Sequence, residues 1–162
     1  KFQFPVHYDA EFKEDTMASQ FIVDNQGVGM YPMLTMKVDT TAHKDFSQAD
    51  LDSNLTACIV AANNTVGMGS AGDMLFGKVV AVSSEEDSGG IPVSCAVQVC
   101  GVARFKYNTG AAPVVNQMVE VDGAGKVRQA SAIADLPAGG HKHRGMVIAK
   151  DTTSETVDVM LI

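Results

Sequence analysis

Gln117-Met118-Val119-Glu120-Val121-Asp122-Gly123-Ala124-Gly125-Lys126-Val127-Arg128-Gln129 is the stretch that decides the fold class of this chain. Two short runs of alternating apolar and polar residues flank Asp122-Gly123-Ala124-Gly125, whose glycines accept the positive φ that a tight reversal demands. The stretch therefore predicts a β-hairpin. Moving towards the C-terminus, Arg144–Lys150 and Glu155–Ile162 predict a second hairpin across Asp151-Thr152-Thr153-Ser154. Val157, Val159 and Leu161 alternate there with Thr156, Asp158 and Met160, so one face is apolar. Moving the other way, Asn108-Thr109-Gly110 reads as a turn. Val93, Cys95, Val97, Val99 and Gly101 share one face of a single long strand, with Ser94, Ala96, Gln98, Cys100 and Val102 on the other. Lys78–Val82 is a further strand, followed by the polar loop Glu85–Gly90.

Five or more short strands with no long helical pattern between them predict an all-β fold, a small antiparallel β-barrel. Closure of the sheet removes open edges, which would otherwise invite aggregation.

Composition divides the chain. Residues 67–162 hold 13 of the 15 Gly and 15 Val, whereas residues 1–66 hold two Gly, six Val and seven of the ten aromatics. The expected organisation is an N-terminal arm or extension over 1–66, partly irregular, and a barrel over 67–162. Phe2, Phe4 and Val6 alternate with Gln3, Pro5 and His7 in an extended leader. Its apolar side chains must be buried against the barrel or another chain. Phe2, Phe4, Val6, Tyr8 and Phe12 are accordingly the candidate partner contacts. Ser47-Gln48-Ala49-Asp50 has the pattern of a capping box and predicts at most one short helix near 47–54. Phe21–Val23 and Met33–Val38 are candidate strands.

The net charge of −7 argues against nucleic acid as a partner, because phosphate binding needs a clustered basic surface. No apolar run approaches the ~20 residues of a membrane-spanning helix, no secretory signal is visible, and three Cys fit a reducing compartment. Gly123-Ala124-Gly125-Lys126 lacks the upstream Gly and the following Ser or Thr of a phosphate-binding loop. His141 and His143 have the spacing of a metal-binding pair but no motif supplies further ligands, so a polar loop is expected. Cys58, Cys95 and Cys100 lack the neighbouring base of a nucleophile and read as buried small hydrophobes. Glu11/Glu14/Asp15 and Glu85/Glu86/Asp87 lack the alternating spacing of a calcium loop. The nine Met suit either core filling or an adaptable surface. Neither cofactor nor metal nor catalytic residue is expected.

The order of motifs, Gly72-Asp73-Met74-Leu75-Phe76-Gly77-Lys78-Val79-Val80, the valine-rich strand ending at Gly101-Val102, Asn116–Gly123, Gly125-Lys126-Val127, Arg144–Ala149 and Val157–Leu161, resembles the small β-barrel capsid decoration, or cement, proteins of tailed bacteriophages. The resemblance covers about residues 70–162. Where such proteins typically carry Gly before the Gln-x-Val strand this chain has Asn116, a residue that tolerates the same left-handed backbone. The resemblance implies a virion structural protein rather than an enzyme. Its implied place is the capsid exterior, assembled in the host cytoplasm, bound to the major capsid protein, commonly as a homotrimer. Neither nucleic acid nor membrane is an implied partner. Two rivals are a receptor- or glycan-binding barrel and a hydrolase built on Cys95 or on His141/His143. The first would want an aromatic platform, yet the chain has no Trp.

Overall fold

The computed structural model describes residues 33–41, 43–131 and 144–161. Among the described residues, ten strands, one short α-helix and one 3-10 turn (Thr109–Ala111) make up the regular structure: β1 (Met33–Val38), α1 (Gln48–Asp52), β2 (Ala57–Ala62), β3 (Thr65–Gly67), β4 (Gly77–Val82), β5 (Ser94–Gln98), β6 (Gly101–Lys106), β7 (Val119–Val121), β8 (Val127–Gln129), β9 (Met146–Asp151) and β10 (Thr156–Leu161). The expected all-β barrel is present. Its five strands close in the order β1-β3-β2-β4-β5, antiparallel everywhere except between β1 and β3. A three-stranded sheet, β6-β10-β9, and the β7–β8 hairpin complete the fold.

Local chemistry explains most elements. Ser47 caps α1: its hydroxyl accepts from the Asp50 N–H, and the Asp50 carboxylate accepts the Ser47 N–H at 2.8 Å. The β7–β8 reversal uses Gly123 (φ +87°) and Gly125 (φ +76°), while the Asp122 carboxylate accepts the Ala124 and Lys126 N–H groups at 2.8 and 3.0 Å. Those bonds occupy the Gly-Lys segment as a turn. The β9–β10 hairpin closes similarly, with Asp151 accepting from the Thr153 and Ser154 N–H groups. Asn116 adopts φ +70°, the left-handed conformation that a glycine would otherwise supply there.

Two expectations change. The barrel begins at Met33, because β1, β2 and most of β3 lie before residue 67 and are staves of the closed ring. Composition placed the division at 66/67, but long-range pairing overrides it. The single strand expected over 93–102 is two, β5 and β6, broken at Val99–Cys100. Gly101 turns the chain with φ +79°, and the buried Gln98 amide donates to the Cys100 and Val102 carbonyls at 3.0 and 3.1 Å, holding the corner. Phe21–Val23 and the arm expected over the first residues lie outside the described residues.

Two apolar cores result. Met36, Val38, Phe46, Cys58, Val66, Met68, Val79, Cys95 and Val97 fill the closed barrel. Phe105, Tyr107, Val119, Val121, Val127, Val147, Val157, Val159 and Leu161 fill the second, together with Leu75 from the segment before β4. Arg144 spans the junction between them: its guanidinium donates to the Phe76 carbonyl at 2.9 Å and to the Val99 carbonyl, and lies 5.5 Å from the centre of the Phe76 ring.

Candidate interaction surface

Phe2, Phe4, Val6, Tyr8 and Phe12, the contact candidates read from the sequence, lie outside the described residues. The structure does define where the chain leaves them. Met33 and Leu34 open β1 with relative exposures of 57% and 43%, although both are large apolar side chains. Alternation along MLTMKV reads as an ordinary core strand, and Met36 and Val38 are indeed buried. Leu34 has the same parity but stands at the open end of the ring, where nothing described covers it. Position along the strand, which alternation does not encode, separates it from Met36.

Backbone pairing sharpens the point. β5 flanks β1 from Met33 to Lys37, whereas β3 meets β1 only at Lys37 and Val38. Among the described residues, the β3-side edge of β1 over 33–36 therefore has no strand beside it. An unpaired edge next to exposed apolar side chains can accept a further strand, with main-chain hydrogen bonds giving affinity and side-chain pockets giving selectivity. A second exposed apolar group comprises Val114, Val115 and Ile148. The Asn116 N–H donates to the Val147 carbonyl at 2.8 Å, which brings the two segments together.

Two charged pairs of the described chain are engaged in structure. Arg104 faces Asp158 across β6 and β10 in a two-pronged ion pair of 2.7 and 2.8 Å. Glu120 faces Arg128 across β7 and β8 at 2.6 Å, and the Ser131 hydroxyl donates to the same carboxylate oxygen at 3.2 Å. Burial works against the charge of Glu120, but the hydrogen bonds from Arg128 and Ser131 outweigh it and hold its pKa below the usual carboxylate range. Lys78 is shifted down, first by burial and then by the nearby Arg104, with Asp158 opposing.

Cys58 and Cys95 sit together in the first core as free thiols, as the reading of small buried hydrophobes expects. Burial, then the neighbouring Cys95, drives the Cys58 thiol far above its ordinary range, and its Sγ–H points at the Gly77 carbonyl. Burial pushes Cys95 up to about 11. Cys100 is only half-buried, so the expectation of a buried residue holds for two of the three. His141 and His143 lie outside the described residues, and among those described no group of three or more His, Cys, Asp or Glu is gathered to hold a metal ion. His43, Asp45 and Asp50 line a shallow groove with Leu55, Met68 and Gly123, but Asp50 is already committed to the α1 cap. Within the acidic loop, Asp87 is spent on the Gly89 and Ile91 N–H groups at 2.8 and 3.0 Å.

No protein-family model matches this chain, and no curated protein and no solved structure matches it.

Proposed function

We propose that this chain is a virion structural protein that decorates the outer face of a tailed-phage capsid by binding major capsid protein subunits, acting as a homotrimer. The reading rests on the sequence resemblance over residues 70–162 and on one structural observation. Where the sequence of the aromatic leader gives way to the barrel, the first two residues of β1, Met33 and Leu34, are exposed beside an edge that β3 leaves unpaired among the described residues. A closed barrel is a rigid body, and an apolar leader running into an open strand edge is a means of gripping a neighbour. Trimerisation would add three such weak grips through effective concentration. The net charge of −7 suits a shell exterior rather than a DNA-facing surface.

The test is co-sedimentation with tailed-phage heads, comparing the full chain with a variant lacking residues 1–20. Circular dichroism and thermal melting verify that the truncated barrel remains folded. The full chain should pellet with heads to saturation, and the truncation should lose most of that binding. Undiminished occupancy by the folded truncation rules out the leader as the grip.

A further inference from the structure

The ten strands follow one pattern twice. In the first ring the order is β1-β3-β2-β4-β5. Two bridges link the remaining sheet and hairpin: Met118 pairs antiparallel with Met146, and Tyr107 pairs parallel with Val127. Adding them to the β6–β10–β9 and β7–β8 pairings closes a second ring, β6-β8-β7-β9-β10. Strand for strand the two orders are the same. In each ring the contact between the first and third strands is parallel and the other four are antiparallel.

The register agrees as well as the order. Val38 opposes Val66 in the first parallel seam, and the next residue, Asp39, donates its N–H to the Val66 carbonyl at 2.8 Å. Tyr107 opposes Val127 in the second, and Asn108 donates to the Val127 carbonyl at 2.8 Å. Both Asp39 and Asn108 then accept the N–H two residues on, at 2.9 Å. Ala57 opposes Lys78 as Met118 opposes Met146, and the following residues, Val79 and Val147, donate to the Thr56 and Gln117 carbonyls at 2.9 Å. Each last hairpin has one bulge at the same place: Val80 is skipped between Val79↔Val97 and Ala81↔Ala96, and Ile148 between Val147↔Val159 and Ala149↔Asp158. Even the two buried side-chain oxygens without a partner among the described residues, on Thr56 and Gln117, are equivalent.

Sequence follows where the geometry is tight. Met36-Lys37-Val38-Asp39-Thr40 aligns with Phe105-Lys106-Tyr107-Asn108-Thr109, and Gly77-Lys78-Val79-Val80-Ala81 with Gly145-Met146-Val147-Ile148-Ala149. Neither glycine has room for a side chain: a Cβ would lie 2.3 Å from the Gln98 carbonyl oxygen at Gly77, and 2.8 Å from Val159 Cγ1 at Gly145, which also has φ +132°. We infer that the chain is an internal duplication, residues 33–98 and 101–161 being two copies of one five-stranded barrel, the second closed at the Tyr107–Val127 and Met118–Met146 seams. The copies differ in their connections. The first carries α1 against β4, with Leu51 and Val80 lining one groove, whereas the shorter second connection has only the 3-10 turn Thr109–Ala111 and leaves Val114, Val115 and Ile148 exposed.

Amide hydrogen exchange on the full-length chain, followed by NMR, tests this. Asn108 and Val147 occupy the seam positions of the second ring, as Asp39 and Val79 do in the first. Each member of the second pair should exchange within about tenfold of its counterpart and at least ~10³-fold more slowly than an exposed loop amide. Asn108 and Val147 exchanging at loop rates while Asp39 and Val79 stay protected means an open sheet and overturns the inference.

Discussion

Replacing Arg128 by Met tests the energetics of the second barrel through its most deeply placed charge. The Glu120 side chain is fully buried, and the guanidinium that neutralises it is 28% exposed. Removing the cation leaves a carboxylate in a dry site with only Ser131 to solvate it, through a hydroxyl at 3.2 Å and an N–H at 3.4 Å. Breaking a buried pair from one side costs about 3–5 kcal/mol, and the two surviving hydrogen bonds place this case near about 3. For a chain of this size that corresponds to a fall in Tm of roughly 6–12 °C. Adding Glu120→Gln to the variant should recover about 1–2 kcal/mol, since the uncompensated charge is gone.

The pH dependence has a definite sign. In the native protein the folded pKa of Glu120 lies below its unfolded value, so the stabilisation is complete above the ordinary carboxylate range and is lost as pH falls through the lowered folded value. In Arg128→Met burial dominates and the folded pKa rises above the unfolded one. The penalty is then greatest near neutrality and shrinks as pH falls through the raised value. Urea unfolding of the three proteins between about pH 3 and 7 reads both effects. A penalty under about 0.5 kcal/mol at neutral pH, or one that does not change with pH, refutes the reasoning.

Other outcomes follow from particular sites. Gly77→Ala forces β4 and β5 apart at the Gln98 carbonyl and should cost about 2–4 kcal/mol in urea unfolding; a loss within about 0.5 shows that the strands yield freely. Ser47→Ala removes the α1 cap and should cost about 1 kcal/mol, with no change in the exchange protection of the second ring. Iodoacetamide at about pH 8 should modify half-buried Cys100 first, then Cys95, and Cys58 only on unfolding; early labelling of Cys58 by mass spectrometry contradicts its burial.

The hairpins and the helix were legible because their signals are local. Asp122-Gly123-Ala124-Gly125, Asp151–Ser154 and the Ser47/Asp50 cap each act within four or five residues. The break at Val99–Cys100 was not: the valines change parity between Val99 and Val102 by one residue only, and the corner is held by the Gln98 side chain and by Arg144 from a distant segment. The start of the barrel was hidden for a related reason. β1 becomes a stave only by meeting β5 and β3, and its composition resembles the leader more than the valine-rich strands beyond. Repetition also escaped a linear reading, because the matching pieces are short and separated by connections of unequal length. For the interaction surface, the aromatic leader was conspicuous in the sequence, whereas Met33 and Leu34 became candidates only once their exposure was known.

Cryo-electron microscopy of tailed-phage heads incubated with saturating full-length chain addresses the claim of capsid decoration most directly. Decoration would appear as added density on the outer shell at symmetry-related positions, built from a barrel-sized body whose β1 end meets the capsid subunit. Shells that stay bare at saturating protein, or density that meets the shell only through the opposite end of the barrel, would contradict it.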